Sequence, residues 1–204
     1  NMETGAFLED TIPNIAAGSF FINHAEQLIY LVPDESWRPW RVYVHDVGQD
    51  TEDHLIYEEP DNTMWLSAAM SSDRSSVVIT SSNSEYTEVR LIPTREPKGE
   101  PTLLIPKSAG IEYYAEPLNI AGEQHLLIQH DYNALNSELV LADMPREGES
   151  LEEYAQRWVP VIRHSEHVRL EGFTFTATHL VVTARADTTT RIFLAPREQL
   201  PIQW

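Results

Sequence analysis

Eight histidines, two pairs of adjacent glutamates and one cluster of arginine with tryptophan are the groups in this 204-residue chain that we weigh as able to act on a ligand. Histidine serves metal binding or acid–base work at neutral pH. His164 and His167, like His125 and His130, are an odd number of residues apart, which on a strand puts the two rings on opposite faces. Neither pair makes a ligand couple, and we expect polar surface or sheet-edge positions for them. Glu58-Glu59 and Glu152-Glu153 diverge on a strand and do not face each other on a helix, so neither forms a glycosidase dyad. Gly18-Ser19 is the nearest approach to a Gly-x-Ser-x-Gly elbow, but Phe20 and Phe21 follow it and are too bulky for the sharp turn. Ser19 reads as the start of a strand. The eight glycines are scattered singly, without a phosphate loop, and the chain has no cysteine, which excludes disulfides, thiolate nucleophiles and cysteine-held metals. No metal and no cofactor is expected.

Charge narrows the partners. Fourteen Lys and Arg against 32 Asp and Glu give −18, a balance that repels a phosphate backbone or an anionic membrane and attracts cationic ligands. No apolar run approaches the roughly 18 residues of a membrane span, and the first residues lack the basic and apolar regions of a signal peptide. We therefore expect no nucleic-acid partner, no membrane and a cytoplasmic setting.

These residues must be held by a scaffold, and the scaffold is repetitive. Apolar runs starting at residues 27 (QLIYLV), 76 (SVVITS), 125 (HLLIQH) and 179 (HLVVTA) recur at spacings of 49, 49 and 54. Each is followed by a second run, at 41, 88, 138 and 191, and preceded by another, at 17–23, 64–70, 112–118 and 171–177. A fourth run closes three of the units, at 54–58, 101–106 and 158–162. Four short strands per period of about fifty residues is the pattern of β-propeller blades, each an antiparallel sheet. The reading is all-β, about four blades of a partial propeller, over 1–204. A leading outer strand lies at 6–12, and the blade-like units at 17–62, 64–106, 112–168 and 171–196. A β-sandwich or barrel with regular strand spacing is the alternative. Residues 147–158 interrupt the strands with a helix, since Ser150 and Glu153 have the spacing of a capping box. Trp37, Trp40, Trp65, Tyr113 and Tyr114 are expected to pack between blades. In the Trp37–Arg41 segment, arginine beside indole favours cation–π contact. Cut sheet edges at the two ends offer a route to self-association.

Three segments, 36–48 (SWRPWRVYVHDVG), 53–61 (DHLIYEEPD) and 84–92 (SEYTEVRLI), resemble the N-terminal propeller of the oligopeptidase B branch of the prolyl oligopeptidase family. Residues 3–14, 170–175 and 179–182 are similar to further stretches of that domain, in the same order, while Val44 and Ser72-Asp73 depart from its basic pattern. The resemblance implies a propeller covering an α/β-hydrolase domain that cleaves short peptides after Arg or Lys. That domain is the implied partner, and short basic peptides the implied substrates. It implies no catalytic residue in this chain, which by itself is expected to be inactive, and it suggests Arg38, Glu58, Glu59 and Asp61 as interdomain or channel-side contacts. A stand-alone propeller that binds a protein partner is the competing reading.

Overall fold

The structure, a computed structural model, describes residues 4–16, 18–22, 25–120 and 122–197. Its strands form four antiparallel sheets. The first is ordered β1 (Phe20–Ile22), β2 (Gln27–Pro33), β3 (Pro39–Asp46), β4 (His54–Glu58). The second is β5 (Trp65–Met70), β6 (Ser76–Ser82), β7 (Thr87–Pro93), β8 (Thr102–Leu103). The third runs β9 (Tyr113–Ile120), β10 (Glu123–His130), β11 (Glu138–Asp143), β12 (Val159–Ile162), and the last has three strands, β13 (Val168–Phe175), β14 (His179–Ala186) and β15 (Thr189–Pro196). Every sheet is built from neighbours in sequence, as blades are. No helix of the described residues is long and apolar enough to cross a membrane.

Two compact units divide the chain: one runs up to Met70 and adds 75–83 and 90–102, the other holds 71–74, 84–89 and the residues from Leu103 onward. The core of the first unit is aliphatic, with Ile29, Leu31, Val42, Val44, Val77 and Ile79 all buried. Consecutive residues are buried along β2 (Ile29, Tyr30, Leu31) and β6 (Val77, Val78, Ile79), so these strands are covered on both faces, which is why they read as continuous apolar runs. The same holds in the second unit for β10, where Leu126, Leu127 and Ile128 are fully buried. In β14 only Leu180, Val182 and Ala184 are buried, alternating with half-exposed neighbours. That strand has one covered face.

Two expectations need correction. Residues 6–12 carry no strand. Phe7 and Leu8 stand exposed, and the segment is held by its Asp10 side chain rather than by a backbone ladder. The first strand of the last sheet begins at Val168, three residues before the expected 171, because the ladder slips between Leu170 and Gly172. Glu171 is the extra residue of a β-bulge there, so Leu170 and Phe173, an odd distance apart, both turn inward. The interrupting helix is α1 (Leu151–Ala155), capped reciprocally by Ser150 and Glu153. It is docked by Tyr154, whose hydroxyl donates to the Asp143 carbonyl at 2.7 Å.

Candidate functional site

The residues singled out in the 36–61 region gather in the first unit, around the loop that leaves β4. Asp34 shapes the turn before β3: its Oδ1 accepts the Ser36 and Arg38 backbone N–H groups, an arrangement Asp favours. This directs Arg38 inward. Its Nε donates to Asp34 Oδ2 at 2.8 Å, and its Nη1 donates to the carbonyls of Asp61 and Met64 at 3.0 and 2.9 Å. Glu59, fully buried, accepts from Ser81 Oγ at 2.6 Å, from the Asp61 N–H at 2.9 Å and from the Tyr57 hydroxyl at 3.2 Å. Asp61 in turn caps Thr63. Arg38, Glu59 and Asp61 are thus brought together, and they hold residues 59–64 against the sheet. Glu58 points away from them, exposed, and accepts from Arg41 Nε at 2.6 Å.

The tryptophans of this segment differ in role. The guanidinium of Arg41 lies 3.9 Å over the Trp40 ring, the expected cation–π contact. Trp37 does not pack between sheets: it is 81% exposed and sits at a φ of 63°, where a bulky residue is strained. Trp65 is also exposed, and Tyr114 is partly so. Tyr113 is buried as expected, its hydroxyl donating to the Ile105 carbonyl and accepting the Val89 N–H.

A site that spacing did not reveal lies in the same unit. His45, on β3, is held between two carboxylates: Nδ1 is 2.7 Å from Asp53 Oδ1 and Nε2 is 2.9 Å from Asp10 Oδ1. Asp53 also accepts from the Tyr30 hydroxyl, and Tyr30 stacks on Tyr43. Asp10 accepts the Gly48 N–H at 2.6 Å, at a turn whose φ of 76° suits glycine. Burial disfavours charge on the imidazole, but the hydrogen bonds to Asp53 and Asp10 outweigh it and raise its pKa above the usual value. When protonated, the ring donates from both nitrogens, one to each carboxylate, and has no lone pair to offer as a base. It lines an acidic cleft of about 1060 Å³ with Glu9, Asp50 and Glu52, and it ties residues 8–13 to the sheet. Sequence separations of 8 and 35 residues left no signal for this cluster.

The second unit treats histidine differently. His130 is not on the surface but buried at the end of β10, 4.4 Å from the Trp158 ring, and neither of its nitrogens meets a hydrogen-bond partner among the described residues. Burial pushes its pKa down to about 4. His164 and His167 fall in the connection before β13 and not on a strand.

Known proteins supply the remaining observation. Residues 1–201 match the family model described as the N-terminal β-propeller domain of prolyl oligopeptidase. The chain belongs to the prolyl oligopeptidase family. Within that family it is 28% identical over 189 residues to dipeptidyl aminopeptidase BI of Pseudoxanthomonas mexicana, covering 92% of this chain and 25% of the relative. It is 32% identical over 143 residues to protease 2 of Moraxella lacunata, covering 69% and 20%. Oligopeptidase B from Leishmania major superposes with a TM-score of 0.81 at 24% identity over 98% of this chain and 27% of that one. For the Trypanosoma brucei oligopeptidase B, bound to antipain, the values are 0.79, 22%, 96% and 27%. The chain therefore spans about a quarter of the length of these prolyl oligopeptidase relatives. The four sheets are blades of the family's propeller, and the sandwich alternative is set aside.

Proposed function

We propose that this chain is the non-catalytic, substrate-gating part of a cytoplasmic serine oligopeptidase that cleaves short peptides after Arg or Lys, its hydrolytic serine lying in an α/β-hydrolase domain outside these residues. The observation that carries the reading is the match to the family's propeller over nearly the whole chain. The net charge of −18, concentrated in places such as the His45 cleft, supports a cationic substrate, because an acidic surface raises the local concentration of basic peptides. Glu58 is the exposed carboxylate among the four residues of the β4 loop region and the one available for an interdomain or channel-side contact. Exposed Ile192 and Leu194 on β15 make self-association through that strand part of the same proposal.

The test is cleavage of a short fluorogenic peptide containing Arg, by this chain and by the whole protein that carries it, with and without a serine-directed inhibitor. Activity in the whole protein alone, abolished by the inhibitor and with a KM that rises with salt, is expected. Silence in both would remove the peptidase reading and leave a propeller that binds a protein partner.

A further inference from the structure

The bulge in β13 has placed two like charges face to face. Arg169 on β13 lies directly opposite Arg185 on β14, an arrangement that destabilises a sheet unless something neutralises it. Arg185 has its acid, since its Nε donates to Glu171 Oε1 at 2.6 Å, and Glu171 is the bulged residue. Arg169 is exposed and meets no carboxylate within ion-pair distance among the described residues. In a chain with 32 acidic and 14 basic residues, a cation opposed by a second cation and left without an acid is an unusual placement.

Both arginines line an open cleft of about 640 Å³ in the second unit, the volume of a short peptide segment. Its other lining residues include the hydrogen-bonding side chains of Tyr114, Gln129 and Ser137. Ser137 is held at a φ of 64°, a conformation costly for a residue with a side chain and frequent where the backbone serves a site. Glu112 and Glu171 share the cleft. These two carboxylates repel a multiply charged anion such as phosphate, but tolerate a single carboxylate carried on a backbone whose N–H groups Glu112 can accept.

We propose that this cleft binds the carboxylate of a peptide, with Arg169 as its bidentate anchor and Arg185 as the second cation. A guanidinium fork matches a planar carboxylate with two parallel hydrogen bonds, and an anion seated between the two arginines removes the repulsion across the strands. The peptide nature of the ligand rests on the peptidase reading above; the carboxylate chemistry rests on the arginine pair alone.

The experiment is calorimetry on the whole protein, inhibited at its serine, with three probes: N-acetyl-tetraalanine, its C-terminal amide, and inorganic phosphate. The free acid is expected to bind, and the amide and phosphate to bind at least tenfold more weakly. Arg169→Gln and Arg185→Gln should each weaken the acid at least tenfold without a fall in melting temperature, and Arg169→Lys should do so as well, since an ammonium cannot form the paired bonds. Arg191→Gln, on the exposed strand β15, should leave binding unchanged. Equal affinity for acid and amide, no binding of the acid, preference for phosphate, or full affinity in Arg169→Gln would each overturn the proposal. Cleavage of the blocked Arg substrate by uninhibited samples is scored separately. Its absence counts against the peptidase reading and leaves the calorimetric result for the arginine pair standing.

Discussion

The loop knot of the first unit and the histidine corner of the second bury ionisable groups in opposite ways. Arg38 and Glu59 are buried with their hydrogen-bonding groups engaged, Arg38 donating to the carbonyls of Asp61 and Met64 and Glu59 accepting from the Asp61 N–H and from Ser81 of β6. His130 is buried without a partner among the described residues and is therefore neutral, an aromatic disc against Trp158. A satisfied buried charge fixes geometry and is costly to break. An unsatisfied neutral ring fills space and is costly only when it is forced to take a proton. The first arrangement specifies one loop conformation, while the second leaves the third sheet sensitive to acid.

The largest expected effect breaks the first half of this comparison. Glu59→Ala or Arg38→Ala leaves buried partners unpaired and should destabilise the protein by about 3 kcal/mol in urea unfolding. A loss below about 1 kcal/mol would mean that water replaces the missing group and that the knot does not determine the loop. Next is the pH dependence from His130. The unfolded ring titrates near 6.5 and the folded one near 4, so between those values the unfolded chain binds the extra proton. Stability should therefore fall as pH drops from about 6.5 to about 4, by up to roughly 1.4 kcal/mol per unit, and level off below. His130→Phe should flatten that limb while changing neutral stability little; an unchanged acid limb would show that the ring is not the group responsible.

His45 supplies the opposite sign within the first unit. Its folded pKa lies above the unfolded value, so its contribution is complete below about 6.5 and disappears as pH rises through the folded value. His45→Gln should remove this alkaline-side loss and free residues 8–13 to exchange their amides faster. Unaltered exchange at Asp10 would dissociate the ring from the tether. The smallest effect is at Trp37, where Trp37→Gly relieves the left-handed backbone and loses almost no packing. A gain of about 1 kcal/mol or less is expected, and a clear loss would point to a contact made by the indole.

What could be read from the sequence follows the same division. The second strands of the first three sheets were legible because doubly covered strands are continuous apolar runs, as at Leu126–Ile128. The start of β13 was not, because a bulge changes which residues face inward without changing which residues are apolar. Residues 6–12 look like a strand in composition, yet a strand needs a neighbour, and Phe7 and Leu8 have none facing them among the described residues. The roles of Arg38 and Glu59 depend on loop carbonyls brought near by turns, and burial of His130 on a tryptophan 28 residues away. Neither leaves a local pattern. Arg169 and Arg185 lie on consecutive strands, but the bulge beside them sets the register that puts them opposite each other.

The extra residue at Glu171 also marks where this segment can change length over evolutionary time. Deleting it would restore simple alternation along β13 with Leu170 two residues from Phe173, so both would still face the core and Arg169 would stay outward. Substitutions at 171 need only respect a surface position, and loss of the codon would leave the inner face in place while removing the carboxylate that pairs with Arg185. Relatives can therefore have either two residues with a bulge or one residue without it between Leu170 and Phe173 and keep both side chains inward.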